Sequence, residues 1–207
     1  MRALEAIKIL DAWDRKGRQV FRVEDLRKLM PESSEKTFVE SVRRLVVQGL
    51  LERATNGIYI NPRSTAPRTN LLEKIAVALR RGAWSYISAE SALSEHGAIS
   101  QIPVGLITVM TTGRSGRFDT PFGAIEFSHT SRAPEDIFEG TIETERPLRL
   151  AKPLTAWRDL QRMGRNLHMV SMSDLEEIGV PKDEIAAGRQ RNVRLSASRQ
   201  TREDPSP

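Results

Sequence analysis

Apolar residues recur at helical spacing from the start of the chain. Ala3, Ala6, Ile7, Leu10 and Trp13 share one side of a 3.6-residue helix, and Gly17 offers its stop. "VEDLRKLMP" predicts a second short helix closed by Pro31. A third is predicted from about Glu35 to Gln48, capped by Ser33 or Ser34 and ended by Gly49. In "LLERATNGIYI", two apolar-rich arms flank "TNG", a strong hairpin signal.

Helix, helix, helix, hairpin is the order of a winged helix-turn-helix, whose third helix enters the DNA major groove while the hairpin lies along the backbone. Phe38, Val42, Leu45 and Val46 share the face expected to pack on the first two helices. Lys36, Thr37, Glu40 and Arg44 project from the opposite face. Arg44 and Lys36 suit guanine edges or phosphates, and Thr37 suits a thymine methyl or a phosphate. Glu40 is unfavourable near phosphate unless it accepts from a cytosine amine. On the hairpin, Arg53, Thr55 and Asn56 are candidate backbone contacts. A three-helix unit with a hairpin also serves as a protein-docking module, with its cations facing solvent.

"NPRSTAPRT" then reads as a linker, with Arg63 and Arg68 as further cations. Asn70 and Glu73 make a capping-box-like start for "LLEKIAVALRRG", whose expected buried stripe is Leu72, Ile75, Ala76 and Leu79. "SYISAESALSEHG" predicts a short strand and a helix capped near Ser88. "IPVGLITVMTT" predicts a central strand and "AIEFSHT" another. "KPLTAWRDLQRMG" begins a helix with Pro153 at a tolerated early position and Leu154, Trp157 and Leu160 in the core. "SMSDLEEIG" is a last capped helix. From about Ala186 the chain is polar and Arg-rich, and a frayed tail is expected.

At 39% hydrophobic and 29% charged, the 207 residues have the composition of a globular chain. There is no cysteine, so disulfides, thiol nucleophiles and Cys-based zinc sites are excluded. No signal-like or membrane-spanning stretch is evident, and a cytoplasmic location is the expectation. The net charge of +5 is uneven. Residues 1–68 carry 14 Lys+Arg against 9 Asp+Glu, residues 69–185 carry 13 against 16, and residues 186–207 carry 5 against 2. A basic head on an acidic body leans toward a polyanion for the head and another partner for the body.

"TTGRSGRF" has Gly113 and Gly116 but no Gly-Lys-Ser/Thr ending and no following helix. It fails the phosphate-loop pattern, and its glycines serve a turn. Asp119 and Glu126 resemble the paired carboxylates of metal-dependent nucleases, but Ser128 stands where such sites place a lysine. His96, His129 and His168 lack ligand-like spacing. No catalytic, cofactor or metal residues are therefore expected.

"GLLERATNGIYI", "YISAESALSEHGAIS", "TVMTTGRSGRFDTPFGAIEFSHT" and "PLRLAKPLTAWRDL" occur in that order. Together they resemble the AbiEi antitoxin family of abortive-infection, type IV toxin–antitoxin systems, from about Arg18 to Ile178. The resemblance implies a winged helix that binds inverted repeats in its own promoter. It also implies a C-terminal domain that counters a nucleotidyltransferase-like toxin, with or without a stable complex. The implied DNA contacts fall on Lys36, Thr37, Arg43, Arg44 and Arg53.

The expectation is thus an α+β protein: a winged helix-turn-helix at 1–62, a linker at 63–69, a mixed α/β antitoxin domain at 70–185 and a basic tail at 186–207. Its partners are operator DNA, bound as monomer or dimer, and the toxin, with no membrane and no cofactor. Arg114 and Arg117 are expected at an exposed turn between two strands, contacting an acidic partner or flanking DNA. The alternatives are a stand-alone regulator with a ligand- or partner-binding body and, from the enzyme class, a degenerate nuclease.

Overall fold

In a computed structural model that describes residues 3–31, 34–100 and 105–188, the chain forms two units. The first is Met1–Gly82 with Phe118–Ala124, and the second is Ala83–Arg117 with Ile125–Pro207. The architecture is mixed α+β, with two sheets among the described residues.

The first unit runs α1 (Ala3–Asp14), β1 (Val20–Arg22), α2 (Val23–Leu29), α3 (Glu35–Val47), β2 (Glu52–Thr55), β3 (Ile58–Ile60) and α4 (Leu71–Leu79). Ala6, Leu10, Phe21, Leu26, Met30, Phe38, Val42, Leu45 and Leu51 form its core. The Ser34 side chain accepts the Thr37 N–H and caps α3, relieving one of the unpaired donors of the first turn. The hairpin forms as its turn signal predicts, with Gly57 at φ 73°, a conformation that favours glycine. Strand β1 was not anticipated. It pairs antiparallel with β3, Val20 opposite Ile60 and Arg22 opposite Ile58, which makes a three-stranded sheet of order β1-β3-β2.

The break expected at 63–69 falls inside this unit. The Asp14 carboxylate accepts from the Ser64 hydroxyl and from the Thr65 N–H and hydroxyl, at 2.9 and 2.8 Å for the latter two. Those bonds, Ser64 first, hold its carboxyl below the ordinary value. Asn70 stands at the start of α4 with φ 58° and makes no side-chain cap, so the expected capping box does not form. The buried residues of α4 are Leu71, Glu73, Ile75, Ala76 and Ala78, while Leu72 and Leu79 are half-buried.

The second unit contains β4 (Ser85–Ile87), α5 (Ala89–Glu95), β5 (Leu106–Thr111), α6 (Pro134–Gly140), β8 (Thr141–Ile142), β9 (Arg149–Ala151), α7 (Pro153–Met163) and α8 (Met172–Glu177). Strands β6 (Gly116–Thr120) and β7 (Gly123–His129) complete a six-stranded sheet of order β6-β7-β5-β4-β9-β8. Here β4 pairs antiparallel with β5 but parallel with β9. Three strands fill the stretch from 106 to 129, where two had been expected; the turn from β5 leads into β6. Arg117 therefore lies in a strand, and Arg114 alone is in the turn. The serine expected to cap α5, Ser88, is spent elsewhere: its hydroxyl donates to Asp159 at 2.7 Å. Trp157 and Leu160 are buried as expected, and Leu154 is half-buried. Of the expected tail, residues 186–188 are helical and 189–207 lie outside the described residues.

Within the first unit one carboxylate gathers charges from distant parts of the sequence. Asp25 accepts from Arg81 at 2.8 and 2.7 Å, from the Arg22 N–H at 3.0 Å and from Arg18. The Arg81 bonds, against the cost of burial, hold its carboxyl at about 2 instead of 3.8. A folded-state pKa below the unfolded value adds stability that is complete above the unfolded pKa and is lost as pH falls through the folded one. Wild-type urea midpoints should therefore fall between about pH 4 and about pH 2. Asp25→Asn should be less stable at neutral pH and flatter across that window; a parallel profile for the two proteins would contradict the assignment.

Candidate nucleic-acid interface

Burial of Phe38, Ser41, Val42 and Leu45 fixes which way α3 faces. With 100° between successive residues, the ridge opposite that face carries Lys36, Glu40, Arg43 and Val47. Each is exposed. Arg43 and Glu40 form an exposed pair at 3.9 Å, the kind worth little in water. Thr37 and Arg44 are also exposed but lie on one flank. Thr37 Oγ1 is 2.9 Å from Ser34 Oγ at the cap, and Arg44 donates to Ser41 Oγ at 3.3 Å.

On the hairpin, Arg53 ties the other candidates into one cluster. Its Nη2 donates to Asn56 Oδ1 at 3.1 Å and its Nε to the Thr55 carbonyl at 3.4 Å. Arg53 and Asn56 are exposed, and Thr55 is half-buried. Of these candidates the structure brings Arg43 of α3 and Arg53 of the hairpin to one groove, while Lys36, Thr37, Glu40, Arg44, Thr55 and Asn56 lie outside its lining.

That groove encloses about 350 Å³ and is lined by Val23, Phe38, Val39, Val42, Arg43, Val46, Arg53 and Tyr59. Its floor is apolar and two of its lining residues are arginines. Val46, expected in the core, is half-buried against this groove. Val39, 55% exposed, and Val47, 81% exposed, were not singled out from the sequence. The helical wheel held the signal, because Val39 lies between the buried face and the outer ridge, but apolar residues default to the core.

Other cations of the head are occupied internally. Arg18 and Arg81 serve Asp25, Arg22 pairs with Glu24 at 3.0 Å, and Arg63 with Asp11 at 3.9 Å. Arg27 pairs with Glu35 and stacks over Phe38.

The second unit holds two polar clusters that the sequence did not reveal, the first buried and the second half-buried. Fully buried Asp159 accepts from Ser88 and from Tyr86 at 3.1 Å and pairs with Arg132 at 2.7 Å. Burial, reinforced by the Asp159 charge, pushes the Tyr86 hydroxyl up to about 12. In the second cluster, Arg165 pairs with Glu90 at 3.0 Å and with Glu126, and Asn166 donates to Glu90 at 2.8 Å. Beside it Ala89 is held at φ 49°, a left-handed conformation unusual for a residue with a Cβ. The cluster lines a pocket of about 210 Å³ with Ser91, Thr108 and Arg117, below the roughly 300 Å³ at which small-molecule sites begin. Glu126, one of the two carboxylates in the nuclease alternative, accepts from the Arg165 guanidinium through Oε1. Among the described residues, no group of three or more His, Asp or Glu is placed to hold a metal ion. His96 meets the Ala151 carbonyl at 2.8 Å, and His129 the Gly113 carbonyl at 2.9 Å.

Among the described residues, no helix is long and apolar enough to cross a membrane. No family model matches the chain, and no curated protein matches it. Among solved structures, it is similar to the crystal structure of the RV2827C protein from Mycobacterium tuberculosis. The two share 16% identity with a TM-score of 0.51, over 93% of this chain and 77% of that one. At that identity the likeness concerns the fold alone, and it agrees with a mixed α+β architecture.

The buried Asp159 cluster makes a direct stability test. Arg132→Ala leaves the Asp159 charge without its main partner inside the second unit and should cost about 3–5 kcal/mol. Chemical denaturation measures it; a loss under about 1 kcal/mol would mean that water reaches Asp159.

Proposed function

We propose that the first unit is a winged helix that binds duplex DNA, and that the chain is a transcriptional autorepressor and antitoxin of a type IV toxin–antitoxin operon. The observation that carries the DNA half is the groove flanked by Arg43 of α3 and Arg53 of the hairpin. Its two lining cations come from the helix and from the hairpin, and the outer ridge of that helix also carries Lys36. The order α1-β1-α2-α3-β2-β3, with the hairpin beside the third helix, supports the same reading. In this account α3 meets base edges and the hairpin meets phosphates.

The antitoxin half rests on the sequence resemblance. The second unit supplies the face that answers the toxin, and Arg114, exposed in its turn, and Arg117, exposed on its strand, are candidate contacts. A stand-alone regulator would share the DNA half and lack the other. Co-expression with a nucleotidyltransferase-like protein encoded beside the chain separates the two: rescue of growth supports the antitoxin, and unrelieved toxicity supports the plain regulator.

DNA binding by the full chain should weaken steeply with salt, as counterion release requires. Arg53→Ala should weaken binding to all sequences alike and lower the salt slope by about one. Arg43→Ala should cost about 1–3 kcal/mol on a selected site and less on random duplex. Mobility shifts across a salt series measure both. Absence of binding at low salt would end the DNA reading, and equal losses for both variants on both duplexes would remove Arg43 as a reader.

A further inference from the structure

Exposed valine is a costly choice on a helix surface. It is a poorer helix former than alanine or lysine, and its apolar surface gains nothing in water. Yet α3 exposes Val39 in its middle, at the mouth of a groove that Val42, Val46, Phe38 and Tyr59 extend inward. Arg43, one turn on, and Arg53, across on the hairpin, flank the same groove. An occupant must therefore be anionic at its edges and apolar at one small point. Duplex DNA meets both conditions in the major groove, where phosphates rim the bases and the 5-methyl of thymine is the apolar feature.

Resting on the DNA-binding reading above, we infer that Val39 is a specificity residue that reads a thymine 5-methyl group. Arg43 and Arg53 hold the flanking phosphates or a neighbouring guanine. The groove gives the methyl an apolar wall on the protein side, so cytosine and uracil at that position lose the contact while phosphate binding stays intact.

The test couples one methyl group on the DNA to one side chain on the protein. The full chain is used to select its preferred duplex from a random pool. Each thymine of that site is then replaced singly by deoxyuridine, and affinities are measured for wild type and Val39→Ala. Alanine favours the helix at this exposed position, so the variant keeps its fold. One replacement should weaken wild-type binding about four-fold, the value of one buried methyl, and should leave Val39→Ala unaffected. Equal wild-type binding to every deoxyuridine duplex overturns the inference while the DNA reading stands. A methyl effect that persists in Val39→Ala also overturns it, because another residue then reads the methyl. A wild-type dimer that Val39→Ala converts to monomer would assign the groove to a second copy and overturn it as well. No binding to any duplex removes the DNA reading and the inference together.

Discussion

The packing of one face of α3 sets what the first unit can present. Phe38, Val42 and Leu45 are buried among α1, α2 and β1 residues such as Leu10, Leu26 and Phe21. Turning α3 by one residue would expose Phe38 and bury a charged side chain, a cost of several kcal/mol. The rotation is therefore fixed by apolar burial, and the outward positions of Lys36, Glu40, Arg43 and Val47 follow from it. Ser34 anchors the helix start, and the three-stranded sheet holds the hairpin with Arg53 beside the groove. The chemistry of the candidate interface is thus a consequence of the core.

Charge is used differently in the two units. In the first, Asp25 collects Arg18 and Arg81 from sites 7 and 56 residues away in sequence, tying the end of α4 to the first strand and second helix. In the second, Asp159 and Glu90 are enclosed with arginines, tyrosine and serine. Such groups cost desolvation and are kept only when their partners are held in place. They make the second unit dependent on Arg132 and Arg165, which therefore act first as structural cations.

Much of the first unit was legible in the sequence because its signals are local. The periodicity of α1 and α3, the Ser34 cap and the "TNG" turn each act within a few residues. Strand β1 was not legible: "VFR" is three residues long and becomes a strand only by pairing with β3, some 40 residues on. Proline and serine suggest a linker at 63–69, whereas Asp14 and Lys74 fasten that segment to the first unit. In the six-stranded sheet, β6, β8 and β9 are short and depend on neighbours. The role of Ser88 depended on Asp159, 71 residues away. Of the candidate interface, the exposed cations were legible by type. Val39 was not, because exposure of an apolar residue depends on how the rest of the unit packs.

The most direct measurement is hydrogen exchange of the full chain, free and bound to its selected duplex. DNA binding through α3 and the hairpin should add protection in Glu35–Val47 and from Glu52 to Ile60, with the second unit unchanged. Protection confined to the second unit, with α3 and the hairpin exchanging as in the free chain, would contradict it.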